Sequence, residues 1–332
     1  MRTAICELFG IDIPIIQAPM GGAVDPQLVA AVCNAGGLGT IPLWGEDIDT
    51  VRSRIREIKS LTRKPFAVNL NLDFPHEERL EVCLQEHVPV ISFFWGSSQE
   101  MVSRAKAAGA IVMQTVGSAK EAQVAVQNGA DVIVAQGWEA GGHVWGTVAT
   151  MALVPAVVDA VAPVPVVAAG GIADGRGFAA ALALGASGVW VGTRFLASEE
   201  VQIHSHYLAR IIGACENDTF HAENLFDIGW SNAPHRVIRN STVDEWLAAG
   251  RPQLGDRRGE GDVIATSKLV GEIVRFQSCT PYPEVEGDIE AMSMWAGQGV
   301  GLVKKRQTAA EIVREIDAEA TETLKKLAAN LG

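Results

Sequence analysis

From residue 14 to residue 193, short apolar runs alternate with amphipathic, alanine-rich stretches of helical length. No other feature of the chain limits its fold so strongly. The runs fall at 15–20, 39–43, 66–72, 90–95, 111–116, 132–136, 164–169 and 189–193. Between them lie helical patterns at 26–35, 47–61, 77–86, 99–108, 119–127, 150–161 and 175–184. Several of these end on a glycine after the last periodic residue, as at Gly36, Gly109, Gly129 and Gly185, which is the signature of a left-handed C-cap. The runs are continuously apolar, not alternating, as strands buried on both faces must be. A parallel sheet covered by helices follows, and eight βα units in this length match a (β/α)₈ barrel. The open doubly wound sheet is the alternative. It lacks its fingerprint, because the first strand ends in Gln17-Ala18-Pro19-Met20-Gly21-Gly22, which has no G-x-G-x-x-G spacing.

After Thr193 the rhythm stops. Residues 199–300 are polar and irregular, with one clear helical pattern at 201–212 and an exposed loop at 251–261. A long amphipathic pattern at 308–331 could return to the barrel's eighth helix position. The expected organisation is an α/β barrel from 1–200 together with 300–332. A smaller, mostly helical inserted region at 201–299 would shape a substrate pocket.

Charge and cysteines exclude several classes. A formal net charge of −12 opposes binding to nucleic acid or an anionic membrane. No apolar run reaches the ~18 residues of a membrane span, and the N-terminus lacks the pattern of a secretory signal. Five cysteines, an odd number with no C-x-x-C, fit a reducing cytoplasm and suggest neither a disulfide framework nor a zinc ribbon. No H-E-x-x-H or cysteine pair occurs, so no metal is expected; the G-x-S-x-G nucleophile elbow is absent too, and no Walker lysine points to a triphosphate. The expected partner is a small molecule, and the oligomeric state is left open.

A barrel carries its site at the C-terminal ends of its strands. Ala18, Pro19 and Met20 follow the first, Asn69 lies at the end of the third, Gln114 and Thr115 in the fifth, and Gln136 at the end of the sixth. Ala169, Gly170 and Gly171 follow the seventh, and Gly192 and Thr193 the eighth. Two glycine loops in these adjacent positions suit a phosphate, because backbone N–H groups can approach it and a helix N-terminus adds a favourable dipole. The amides suit hydrogen bonding to a flat heterocycle such as isoalloxazine.

The sixth strand opens into Gly137-Trp138-Glu139-Ala140-Gly141-Gly142-His143. An imidazole titrates near neutral pH and can carry a proton to and from a substrate. Gly141 and Gly142 are expected to border the cofactor and to keep side chains out of the space between it and the imidazole. A lone histidine in a random loop is more often structural, but this one follows a buried strand on the site face. Glu139 is expected either to orient His143 or to bond the loop backbone. Trp138 and Trp145 flank the histidine and are expected to wall an apolar pocket. The remaining tryptophans are read as core. His221 and His235 are weaker candidates for pocket lining, and His204 and His206, two apart on a helix, cannot share a metal.

QAPMGG, NAGGLGT, VAQGWEAGGHVWG, AAGGIADG and VGTRF, in this order, resemble the nitronate monooxygenases, formerly called 2-nitropropane dioxygenases. The wider superfamily includes an FMN-dependent enoyl-acyl-carrier-protein reductase and an NADH:quinone reductase. The likeness covers about residues 10–200 and returns at WAGQG, 295–299. It implies an FMN-containing barrel with His143 as the catalytic base. In such enzymes the histidine takes the α-proton of a neutral nitroalkane. The nitronate gives an electron to flavin, and oxygen then yields a carbonyl compound and nitrite. The alternative within the superfamily is an NAD(P)H-dependent FMN reductase. Where some relatives place a lysine after strand five, this chain has Gln114 and Thr115.

Overall fold

In a computed structural model describing residues 1–331, the rhythm becomes a closed ring of parallel strands. These are β1 (Ile15–Gln17), β2 (Thr40–Pro42), β3 (Ala67–Asn71), β4 (Val90–Phe94), β5 (Ile111–Val116), β6 (Val132–Gln136), β8 (Val166–Ala169) and β9 (Gly188–Val191). Each pairs with its sequence neighbour in the ring, and β9 pairs with β1. A parallel bridge between Ile16 and Leu38 closes the circle, with the Gln17 N–H donating to Leu38 O at 2.9 Å. The chain is an α/β protein with a (β/α)₈ barrel.

Strand alternation sorts the apolar residues into two cores. Ile16, Ala67, Val90, Met113, Val132 and Val167 point into the barrel. Ile15, Val68, Ile91, Val112, Ile133 and Val189 point outward beneath the helices. Both sets are fully buried, and each large side chain so buried contributes roughly 1.5–3 kcal/mol. A short helix not expected from the pattern, Ala4–Phe9, adds Ile5, Cys6 and Phe9 to the inner cluster. It stops at Gly10, whose φ is +70°.

The eighth helix position is filled from the far end of the chain. Helix Ala309–Ala329 starts with a Thr308–Glu311 capping box and buries Ile312, Val313, Ile316 and Ala320. It packs on helices Gly175–Ala183 and Pro26–Asn34. A Cβ on Gly175 would lie 2.3 Å from Ala320 N, so only glycine permits the approach.

The region expected to be mostly helical is mixed. It holds helices Ser205–Gly213 and Ser241–Ala248 and five strands. These are β10 (Thr219–Ala222), β11 (His235–Ile238), β12 (Val263–Ser267), β13 (Gly271–Val274) and β14 (Glu286–Gly287). Strands of two to five residues are too short to show a period. The expected helix at 201–212 begins only at Ser205, because His204 is its N-cap and accepts from the His206 N–H. One of the two antiparallel sheets, β10-β11-β7, takes its edge from the barrel loop, since β7 is Gly142–His143. Among the described residues no helix is long and apolar enough to cross a membrane.

Candidate active site

A cavity of about 1020 Å³ opens at the C-terminal ends of the strands, between the barrel loops and residues 229–299. Ala18, Pro19 and Met20 line one side, with Asn69 and Thr115. Gln136, Gly141, Gly142 and His143 line another, and Ala169, Gly170, Gly171, Gly192 and Thr193 a third.

Gln114 is the exception and corrects the expectation. In β5 it shares the outward phase of Val112 and Val116, so its amide never reaches the cavity. Its Nε2 donates to Gly96 O at 2.7 Å and to Thr115 O at 3.1 Å. Thr115, one residue on, takes the inward phase with Met113.

The glycine loops keep their backbone donors uncommitted. Gly170 and Gly171 have φ of +103° and +71°, a region that L-residues avoid. Among the described residues, the N–H groups of Gly170, Gly171 and Gly192 have no acceptor. The end of the following helix is taken, contrary to expectation. Asp174 accepts from the N–H groups of Arg176 and Gly177, and Glu319 accepts from that of Gly175. An anion here would meet glycine N–H groups ahead of the helix. The Thr193 hydroxyl accepts from the Gly297 N–H at 3.0 Å.

The amides are partly engaged. Asn69 accepts from the Trp44 indole N–H at 2.8 Å and donates to Ser92. Gln136 donates to the backbone carbonyl of His143 at 3.2 Å, so it holds the histidine loop and leaves its own oxygen uncommitted.

His143 sits where barrel and insertion meet. Its strand pairs with β11, and His143 lies opposite His235. The two glycines before it serve different ends. A Cβ on Gly141 would lie 2.3 Å from Gly297 N, so Gly141 admits the backbone of the segment after Trp295. Gly142 has φ +72° and faces open space. Around the imidazole are rings: Trp230 at 3.9 Å between centroids, Trp295 at 5.0 Å, His235 at 5.7 Å and Trp95 at 6.1 Å. The residue is only half-buried, yet its Nε2 is enclosed and has no hydrogen-bond partner. Burial, with a smaller contribution from His235, holds the imidazole well below its ordinary pKa. It is therefore neutral at physiological pH.

Trp138 and Trp145 do not wall the cavity. Trp138 stacks under Arg236 at 4.2 Å, and Trp145 packs on Trp95 and Phe94 and donates to Glu121. The aromatic wall is made by Trp44, Phe74, Phe94, Trp230 and Trp295. Glu139 does not orient His143. Its carboxylate accepts from the N–H and hydroxyl of Thr150 and so caps helix Thr150–Val161, whose N-cap Ala149 has no side-chain bond. Neither His221 nor His235 lines the cavity. His235 is fully buried, with Nδ1 at 2.9 Å from Ala233 O and Nε2 accepting from the Phe226 N–H at 3.1 Å. His206 pairs with Glu290. No group of three or more His, Cys, Asp or Glu among the described residues could hold a metal.

Family comparison agrees with the geometry. The nitronate monooxygenase sequence family matches residues 2–78 and 74–319. The chain belongs to the nitronate monooxygenase family. Like its relatives it is an oxidoreductase. A nitronate monooxygenase of Pseudomonas aeruginosa is 33% identical, over 96% of this chain and 99% of that one. The (3aS,4S,5R,7aS)-5-hydroxy-7a-methyl-1-oxo-octahydro-1H-indene-4-carboxyl-CoA dehydrogenase of Rhodococcus jostii is 36% identical, over 99% of this chain and 98% of that one. The solved structure of FabK from Thermotoga maritima superposes with a TM-score of 0.83 at 35% identity, covering 99% of each chain. Within the nitronate monooxygenase family this chain's missed site residues are Trp44, Trp230 and Trp295. Only Trp295 carried a signal, through the WAGQG likeness. Trp230 sits in an irregular stretch with no motif around it.

Proposed function

We propose that the chain is an FMN-dependent nitronate monooxygenase in which His143 removes the α-proton of a nitroalkane. The observation that carries this is an imidazole in an aromatic pocket whose enclosed Nε2 has no hydrogen-bond partner, sharing one cavity with uncommitted glycine N–H groups. The cavity residues fit FMN. Its phosphate would be held by Gly170, Gly171, Gly192 and Thr193, and its ring would lie along Ala18, Pro19 and Met20, with Asn69, Thr115 and Gln136 at its polar edge. When bound, FMN supplies the electron acceptor and the reaction with O₂. His143 takes the proton on the imidazole and is free to do so because burial keeps it unprotonated. Gln136 fixes the loop that carries it. The indoles exclude water from the reacting carbon. A preformed nitronate is already anionic and needs the base less. We place the protein in the cytoplasm, a reading supported by its five unpaired cysteines.

A second reading has its own support. The cavity runs on to Arg54 and to Leu269, exposed at the β12–β13 turn, which is farther than a small nitronate requires. This favours an NAD(P)H-linked or dehydrogenating flavin enzyme with a bulkier substrate, and a carboxyl-CoA ester is the type named for the Rhodococcus relative. Anaerobic mixing of the flavin form with propyl nitronate, NADH, NADPH and an acyl-CoA in separate cuvettes decides between them. Bleaching by the nitronate alone supports the first reading. Bleaching by a nicotinamide or the thioester, with none by the nitronate, overturns it.

A further inference from the structure

A proton-carrying imidazole is ordinarily oriented by a carboxylate or a backbone carbonyl on its other nitrogen. His143 has neither; its contacts are rings. Trp230 lies across it at 3.9 Å with an interplanar angle of 38°, and Trp295 at 5.0 Å with 40°. An indole face carries negative quadrupole density and attracts a cation within about 6 Å of its centroid. Trp230 is itself anchored. Its Nε1–H donates to Oδ2 of Asp73 at 2.8 Å, in the loop after β3. A carboxylate accepting from the indole N–H polarises the ring toward its face. One chain of contacts thus runs from a barrel loop, through an indole of the insertion, to the imidazole.

We infer that Trp230, held by Asp73, stabilises the protonated form of His143 through its ring face and is a positioning residue for proton transfer. The inference rests on the reading of His143 as the base. Other titratable groups around the imidazole do not supply this role. His235 on β11 is satisfied only when neutral, because its Nε2 accepts from the Phe226 N–H. Arg236 lies on the opposite face of β11, against Trp138. Glu139 is bound to Thr150, and Glu121 reaches the cluster only through the Trp145 indole. Burial opposes a charge on His143, and the indole faces are what is present to offset it.

The test is an NMR titration of histidine-labelled enzyme carrying its flavin, with the His143 signal assigned by His143→Gln. Trp230→Leu keeps the site dry but removes the ring face. The midpoint of His143 is expected to fall by about one pH unit, tenfold less imidazolium at a given pH, with Trp230→Phe in between. Asp73→Asn keeps the indole hydrogen bond through its amide oxygen, removes the charge, and is expected to lower the midpoint by less. Midpoints that stay the same or rise in Trp230→Phe and Asp73→Asn, with the flavin spectrum intact, overturn the inference even if Trp230→Leu does not fold. A His143 that never titrates in any form overturns it as well. Rates on a neutral nitroalkane that survive His143→Ala overturn instead the base reading on which it rests, whatever the midpoints.

Discussion

The two sides of the cavity are made of different material. The barrel side offers backbone: Gly170, Gly171 and Gly192 present N–H groups at the ends of β8 and β9, on strands whose register is fixed by neighbours on both sides. The insertion side offers side chains: Trp230 and Trp295 come from segments outside any strand or helix, held by side-chain contacts such as Trp230 to Asp73 and Trp295 to Thr280. His143 stands on the seam, in a barrel loop conscripted as the edge of an insertion sheet. A backbone cradle is indifferent to the side chains around it. A wall of aromatic side chains can change with few substitutions. Substrate choice is therefore expected to reside on the insertion side, and cofactor binding on the barrel side.

The largest effect should come from the seam. His143→Ala is expected to lower kcat/KM for a neutral nitroalkane by about 10²–10⁴-fold, the usual contribution of a general base, while the flavin spectrum persists. Stopped-flow rates and absorbance on one sample would check both. Loss of flavin as well would merge the two sides that are separated here.

The insertion side should make stability depend on pH. His235 is buried neutral, and desolvation lowers its pKa to about 4 from an ordinary value of 6.5. A depressed histidine pKa means the unfolded chain binds more protons, so its stabilising contribution is complete above pH 6.5 and is lost as pH falls toward 4. That loss amounts to about 3 kcal/mol, and His143 adds in the same direction. Urea midpoints between pH 7.5 and 4.5 should fall steeply in the wild type and less so in His235→Gln. Equal slopes would contradict the buried neutral state.

On the barrel side, Gly170→Ala places a methyl 2.9 Å from Gly137 O at a φ of +103°. About 1–2 kcal/mol of strain is expected at such a position, and FMN affinity should weaken about tenfold with His143 chemistry unchanged per bound flavin. Fluorescence titration of the apoprotein measures this. The smallest effect is reserved for Gln114→Leu. It faces away from the cavity, so FMN affinity should not change, whereas a loss as large as that of Gly170→Ala would return Gln114 to the site.

How much of this was legible follows the same division. Strands Ile111–Val116 and Val132–Gln136 could be read to the residue, and so could the glycines after β8, because parallel strands and their turns leave local patterns. The phase of β5 could not be read. Val112 and Met113 are both apolar, since both faces of the strand are buried, so nothing in the sequence told Gln114 from Thr115. β7 is two residues in a glycine loop and exists only because β11 lies beside it. Trp138 and Trp145 lie near His143 in sequence, and Trp230 and Trp295 do not. Contact between distant irregular segments leaves no period and no motif.

The central claim is that His143 is the base and that the barrel side of the cavity serves the flavin. It is tested most directly by mixing wild-type and His143→Ala enzymes anaerobically with nitroethane and, separately, with its preformed nitronate. Wild type should bleach with both, and His143→Ala with the nitronate alone. A His143→Ala enzyme that bleaches with neutral nitroethane as fast as wild type would contradict the account.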